Sequence, residues 1–153
     1  MDADTLIELF ELKPHPEGGY YRETYRSDLT VTADRSVRSA GTAILYLLSG
    51  SDVSRFHRID ADEIWHYHQG GPLEIHSLRA GGSHRVDRLE PSNPQIVIPA
   101  GVWFGAKLAE PLSHCLAGCT VSPAFEFSGF ELAERDDLLA EWPEADTIIQ
   151  ALT

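Results

Sequence analysis

The sequence predicts an all-β sandwich or barrel with a short N-terminal helix and short C-terminal helices. Three observations carry that reading. Apolar or alternating segments of strand length follow one another from Tyr20 to Phe130, with Gly, Pro or Asp corners between them. Helical spacing of apolar residues is confined to the stretches before Pro14 and after Phe130. No linker, internal repeat or low-complexity segment divides the 153 residues, so a single domain over 1–153 is expected, long enough for a real core.

Thr5 and Glu8 have capping-box spacing, and Leu6, Leu9 and Phe10 make a short helical stripe closed by Pro14. His15–Gly19 is a tight loop, because two successive glycines admit positive φ or a close backbone approach. Tyr20–Tyr25 alternates as a strand, Tyr20, Arg22 and Thr24 sharing one face. Ser27–Ser39 is polar and reads as an exposed loop or edge hairpin. Thr42–Leu48 is a continuous apolar run, as in a strand buried on both faces, and Gly50-Ser51-Asp52 turns it. Leu73–Leu78 and Arg85–Leu89 pair across Gly81-Gly82, and Gln95–Ile98 meets Trp103–Leu108 at a Pro99–Gly101 corner. His114–Val121 is small and apolar, hence central, and Phe125, Phe127 and Phe130 belong to the last strand and its approach. Helices are predicted over Arg135–Trp142 and Pro143–Leu152.

Twenty-four acidic against twelve basic side chains leave a formal charge of −12. Nucleic acid and anionic membrane surfaces both call for a basic footprint, so neither is an expected partner. No apolar run approaches the ~20 residues of a membrane helix and the N-terminus is acidic, so a cytoplasmic location is expected. Cys115 and Cys119 have no second pair and read as buried thiols, not as a zinc or disulfide framework. Serine-nucleophile, phosphate-loop and dinucleotide signatures are absent.

Ser54–Gly71, SRFHRIDADEIWHYHQGG, reads as two strands joined at Asp60-Ala61-Asp62. By period-two alternation His57 shares a face with Ile59, and Glu63 shares one with Trp65 and Tyr67. Inside a barrel these faces bring an imidazole and a carboxylate into an aromatic-walled chamber. Such a pair serves acid–base chemistry or supplies half of a metal site. His66 and His68 have ligand-like spacing but point to the other face.

The same stretch resembles the first cupin motif. His57, Glu63 and Gly70 fall on it, with Ile59 in place of the second His. Ile96–Gly105 resembles the second motif, keeping Pro99 and Gly101 but placing Phe104 at the ligand His. LKPHPEGGYYRETYRS, HRIDADEIWHY, GCTVSP and FEFSGFELAERDDLL together resemble one cupin branch, a domain of unknown function with the jelly roll of sugar-nucleotide epimerases. The resemblance implies a cupin jelly roll, or double-stranded β-helix. It also implies a small-molecule pocket with Glu17 and Tyr20 at its mouth. Cupin metals sit on three imidazoles and a carboxylate, and two of those four positions are lost here. No dedicated metal and no cofactor are therefore expected.

The candidate acid–base residues are His57, as base, with Glu63, Tyr67 and Tyr20. The candidate ligand-binding residues are Glu17, Arg22, Trp65, Trp103 and Phe104. Epimerase- or isomerase-type proton transfer on a carbonyl or sugar-like ligand is the leading expectation. The alternatives are a non-catalytic ligand-binding or sensing cupin, and a metal-dependent oxygenase or isomerase with a reduced ligand set. A homodimer is expected from the resemblance.

Overall fold

In the computed structural model, which describes residues 1–33, 35–111 and 113–153, the chain begins with helix α1, Ala3–Leu9. Its cap is Asp2, whose carboxylate accepts from the Thr5 amide at 2.9 Å. The capping box predicted at Thr5 therefore lies inside the helix: Asp2 caps it one turn earlier and Leu6 is buried beneath it.

Strands β1 (Lys13–Pro14) and β2 (Tyr20–Arg26) flank the glycine loop. The polar stretch after them folds as a two-stranded hairpin, β3 (Thr30–Ala33) with β4 (Ser36–Ser39), and Asp34 of that predicted loop lies outside the described residues. Next come β5 (Thr42–Ser49), β6 (Val53–Ile59) and β7 (Asp62–Gly70). β8 (Leu73–Leu78) and β9 (His84–Leu89) form the predicted hairpin, with Gly81 and Gly82 both at positive φ in its turn. β10 (Gln95–Ile98), β11 (Trp103–Leu108), β12 (His114–Ser122) and β13 (Phe130–Leu132) complete the strands. Helices α2 (Arg135–Glu141) and α3 (Asp146–Ala151) follow, joined by a single 3₁₀ turn at Pro143–Ala145.

The strands form two antiparallel sheets packed face to face as a jelly roll. One has the order β1-β2-β5-β12-β7-β10, the other β13-β6-β11-β8-β9. Between them lie Tyr46, Leu48, Trp65, Ile75, Ile98 and Phe104, the inward-facing alternate residues of their strands. The outer face of the second sheet carries Phe56 and Leu78, which α2 and α3 cover with Leu138, Trp142, Ile149 and Leu152. α1 covers the outer face of the first sheet through Leu6, against Leu47 and Leu116. No described helix is long and apolar enough to cross a membrane.

Gly105 on β11 is what lets the C-terminus dock. A Cβ there would stand 2.8 Å from the Ser54 carbonyl oxygen and 3.1 Å from the Leu152 side chain. The neighbouring Phe56 amide donates to the Leu152 carbonyl at 2.8 Å. Gly105→Ala is expected to cost about 1–3 kcal/mol by overpacking this seam. Urea unfolding measures the loss, and an unchanged midpoint would show that the C-terminal residues are not held there.

Candidate functional site

A cavity of about 600 Å³ opens between the sheets, with Glu17, His57, Glu63 and Cys119 buried in its floor. The glycine loop carries the first of these inward. Gly18 has φ +112° and passes so close to β6 that a Cβ would lie 2.0 Å from the Val53 carbonyl oxygen. The Arg55 amide donates to the Glu17 carbonyl at 2.8 Å, and the Tyr46 hydroxyl donates to the Gly18 carbonyl at 2.6 Å. Clamped in this way, Glu17 points into the interior with only 6% of its surface exposed.

Glu17 Oε2 lies 3.0 Å from His57 Nε2, and the Ser54 hydroxyl donates to Glu17 Oε1 at 3.0 Å. His57 Nδ1 faces the Arg55 carbonyl at 2.7 Å. A carbonyl only accepts, so Nδ1 carries a proton. Nε2 then faces a carboxyl oxygen, and a second proton must lie between them for the contact to be attractive. Glu17 and His57 are a unit that holds one proton in common, and His57 has no ring nitrogen left for a ligand. This corrects two expectations. The partner of His57 is Glu17, not Glu63, and Glu17 lies in the floor instead of at the mouth. Phe104, opposite His57 in the β6–β11 register, packs on the imidazole with ring centroids 4.2 Å apart.

Glu63 also faces the chamber, from the start of β7. Burial, then the nearby Glu17 charge, push its carboxyl up to about 8, so at neutral pH it is an O–H donor. Cys119 contacts it by a hydrogen bond, and burial holds that thiol well above its ordinary range. His15, in the wall, is shifted the other way: burial lowers it, the Glu17 charge opposes the shift, and His57 adds to it. Its Nδ1 accepts from the Glu17 amide at 3.1 Å.

At the mouth Arg22 is paired with Glu11 at 3.3 Å, and Arg26 is held by Glu23 at 2.9 Å and Glu126 at 3.1 Å. Phe127, about half exposed, stacks against His15 with centroids 6.1 Å apart.

The remaining candidates lie elsewhere. Tyr20 stands opposite Leu47 and packs under α1, while Tyr21, opposite the inward Tyr46, lines the cavity in its place. Tyr67 donates its hydroxyl to the Gly70 carbonyl at 2.6 Å and does not line the chamber. Trp65 is packed solid in the core, edge-on to Tyr46. Trp103 points to the outer face, where the Arg58 guanidinium sits 4.4 Å from its ring centroid. Sequence reading missed His15, Tyr21 and Cys119. Cross-strand register is what places Tyr21 and Cys119 inward, and no spacing within one segment reveals it.

The cupin metal positions do not fit a metal here. Ile59 and Phe104 offer hydrocarbon where imidazoles would stand, and both His57 nitrogens are engaged. Among the described residues no three or more His, Cys, Asp or Glu side chains converge as a ligand set.

A two-sheet antiparallel jelly roll with an inward His and Glu on consecutive strands in the floor of its chamber is a cupin. The chain belongs to the Cupin superfamily family DUF985, whose model matches residues 4–133. It is 35% identical to Protein SO0799 from Shewanella oneidensis, with a TM-score of 0.91 over 100% of this chain and 98% of that one. A hypothetical protein from Leishmania major is 29% identical, with a TM-score of 0.94 over 100% and 99%. The uncharacterized protein YML079W of Saccharomyces cerevisiae is 28% identical over 88% of this chain and 76% of its own. Oxalate decarboxylase from Bacillus subtilis, at 14% identity and a TM-score of 0.57 over 92% of this chain and 37% of that one, shares the fold alone.

Proposed function

We propose that the chamber binds a small carbonyl-bearing or sugar-like molecule and moves a proton on it, in the manner of an epimerase or isomerase. The observation that carries this reading is that two buried carboxyl groups with different surroundings line one cavity. Glu63 is held neutral, while Glu17 is an acceptor for both Ser54 and the His57 proton. Glu63 donates its O–H to the carbonyl oxygen of the ligand. The carbon–hydrogen bond beside that carbonyl breaks, its proton passes to Glu17, and its electron pair becomes the enol held by Glu63. Return of the proton from Glu17 to the neighbouring carbon, as Glu63 takes back the hydroxyl proton there, gives the isomer, and a proton delivered from water on the opposite face of the first carbon gives the epimer. His57 is a positioning residue: with its proton shared into Glu17 it holds that carboxyl aimed into the chamber. The sugar-nucleotide epimerases, which the chain is expected to resemble in architecture, perform proton transfer of this kind.

The test is deuterium incorporation from D₂O into a panel of keto-sugars, read by mass spectrometry. Wild-type protein is expected to exchange the hydrogen beside the carbonyl of one of them, and Glu17→Gln to exchange none while still binding it. Binding without exchange by wild type would replace this reading with that of a ligand-sensing cupin.

A further inference from the structure

On the outer face of the second sheet, away from the chamber, two imidazoles meet. His76 is on β8 and His84 on β9, diagonal neighbours in a register that pairs His76 with Val86 and Leu78 with His84. Their rings are 19° from parallel, and His76 Nδ1 lies 2.9 Å from His84 Nε2. His76 is 5% exposed, whereas His84 is open to solvent. A hydrogen bond between the rings satisfies one nitrogen of each. It leaves His76 Nε2 buried with no partner among the described residues, and the Glu74 carboxylate stands 3.6 Å from it, beyond hydrogen-bond reach.

We propose that His76 and His84 are a two-histidine chelate for a tetragonal divalent cation, Cu²⁺ or Ni²⁺, with Glu74 as its outer carboxylate. Two metal–nitrogen bonds of about 2.05 Å meeting at a right angle separate their nitrogens by roughly 2.9 Å, whereas a tetrahedral ion spreads them to roughly 3.3 Å. The observed spacing, set by the hydrogen bond the rings now make, matches the square arrangement which Cu²⁺ and Ni²⁺ adopt. The ion sits beside the line joining the two nitrogens, and the exposed His84 ring is free to swing its lone pair from His76 Nδ1 toward it. Metal on Nδ1 moves the His76 proton to Nε2, where Glu74 accepts it once its side chain closes the 3.6 Å gap. The orphaned nitrogen thereby gains the carboxylate partner that metal-bound histidines ordinarily have. The Lys107 ammonium, 3.4 Å from Glu74, offsets part of that carboxylate's charge, and water on the open side completes the coordination. Bound in this way, the ion ties edge strand β9 to β8.

Copper chloride titrated into the intact chain tests the assignment, followed by calorimetry and by electron paramagnetic resonance. Wild type is expected to take up one equivalent, with hyperfine splitting from two nitrogens, and to unfold at a higher temperature when loaded. His84→Ala, at an exposed position that the fold does not need, is expected to lose that equivalent and the splitting. Glu74→Gln is expected to weaken binding about ten-fold. His66, the other candidate outside the chamber, has both ring nitrogens engaged by Thr120 and Gln95. Absence of saturable binding by wild type, or binding unchanged in His84→Ala, would overturn the site and leave the contact as a hydrogen bond alone.

Discussion

Glu17→Ala is expected to lower the unfolding free energy by about 3–5 kcal/mol, the usual cost of removing one partner from a buried charged pair. The side chains of Glu17 and His57 are 8% and 3% exposed, so water cannot replace the lost contact. Without the carboxylate, His57 Nε2 faces a cavity wall with no acceptor for a second proton, and the Ser54 hydroxyl loses its partner as well. Glu17→Gln separates packing from charge. Its amide N–H₂ donates to Nε2 of neutral His57 and its oxygen still accepts from Ser54, so it is expected to stay within about 1 kcal/mol of wild type. Urea unfolding of the three proteins at neutral pH decides the matter. If Glu17→Ala is as stable as Glu17→Gln, the two groups are not a coupled buried unit, and the role proposed for Glu17 as an aimed base loses its basis.

Much of the fold was legible because it rests on local patterns. The Thr42–Leu48 run, the Gly81-Gly82 turn and the Pro99–Gly101 corner each specify a strand or its end within a few residues, and each stands where predicted. The N-terminal cap was misplaced by one turn because Asp2 and Thr5 are both good caps, and burial of Leu6 decides between them. The polar Ser27–Ser39 stretch offered no periodicity, since a two-stranded hairpin off the body of the protein has no buried face to mark it.

The site was half legible. His57 and Glu63 do both face the chamber. Alternation tells which residues share a face, but not which face turns inward. That choice depends on register with the neighbouring strand. Tyr21 is inward because it stands opposite Tyr46, and Trp103 is outward because Phe104 stands opposite His57. Glu17 was misjudged for a different reason. Nothing within PHPEGG specifies that the loop folds back on β6, and only the fit of Gly18 against the Val53 carbonyl shows it.

The stability of the protein is expected to fall as the pH rises from about 4.5 to about 8, and Glu63 is the cause. Its folded carboxyl titrates at about 8 and its unfolded one near the ordinary 4.5, so across that window the native state holds a proton that the unfolded chain has released. Below the window both states are protonated and Glu63 imposes no penalty. Above it both are ionised, and the native state bears the whole cost of a buried carboxylate beside Glu17. A shift of that width corresponds to a cost on the order of 5 kcal/mol. Glu63→Gln removes the titration while keeping the shape, so its stability is expected to lie within about 1 kcal/mol of wild type near pH 5 and to exceed it clearly near about pH 9. Lowered His15 works in the opposite sense, since a neutral native imidazole gains stability as the pH rises through its unfolded range, but it is present in both proteins and cancels in their difference. Urea unfolding of wild type and Glu63→Gln from about pH 5 to about pH 9 reads this directly. Parallel curves would mean that Glu63 is ionised in the folded protein at neutral pH. It would then have no O–H to give a carbonyl, and the acid half of the proposed proton transfer would have to come from another group.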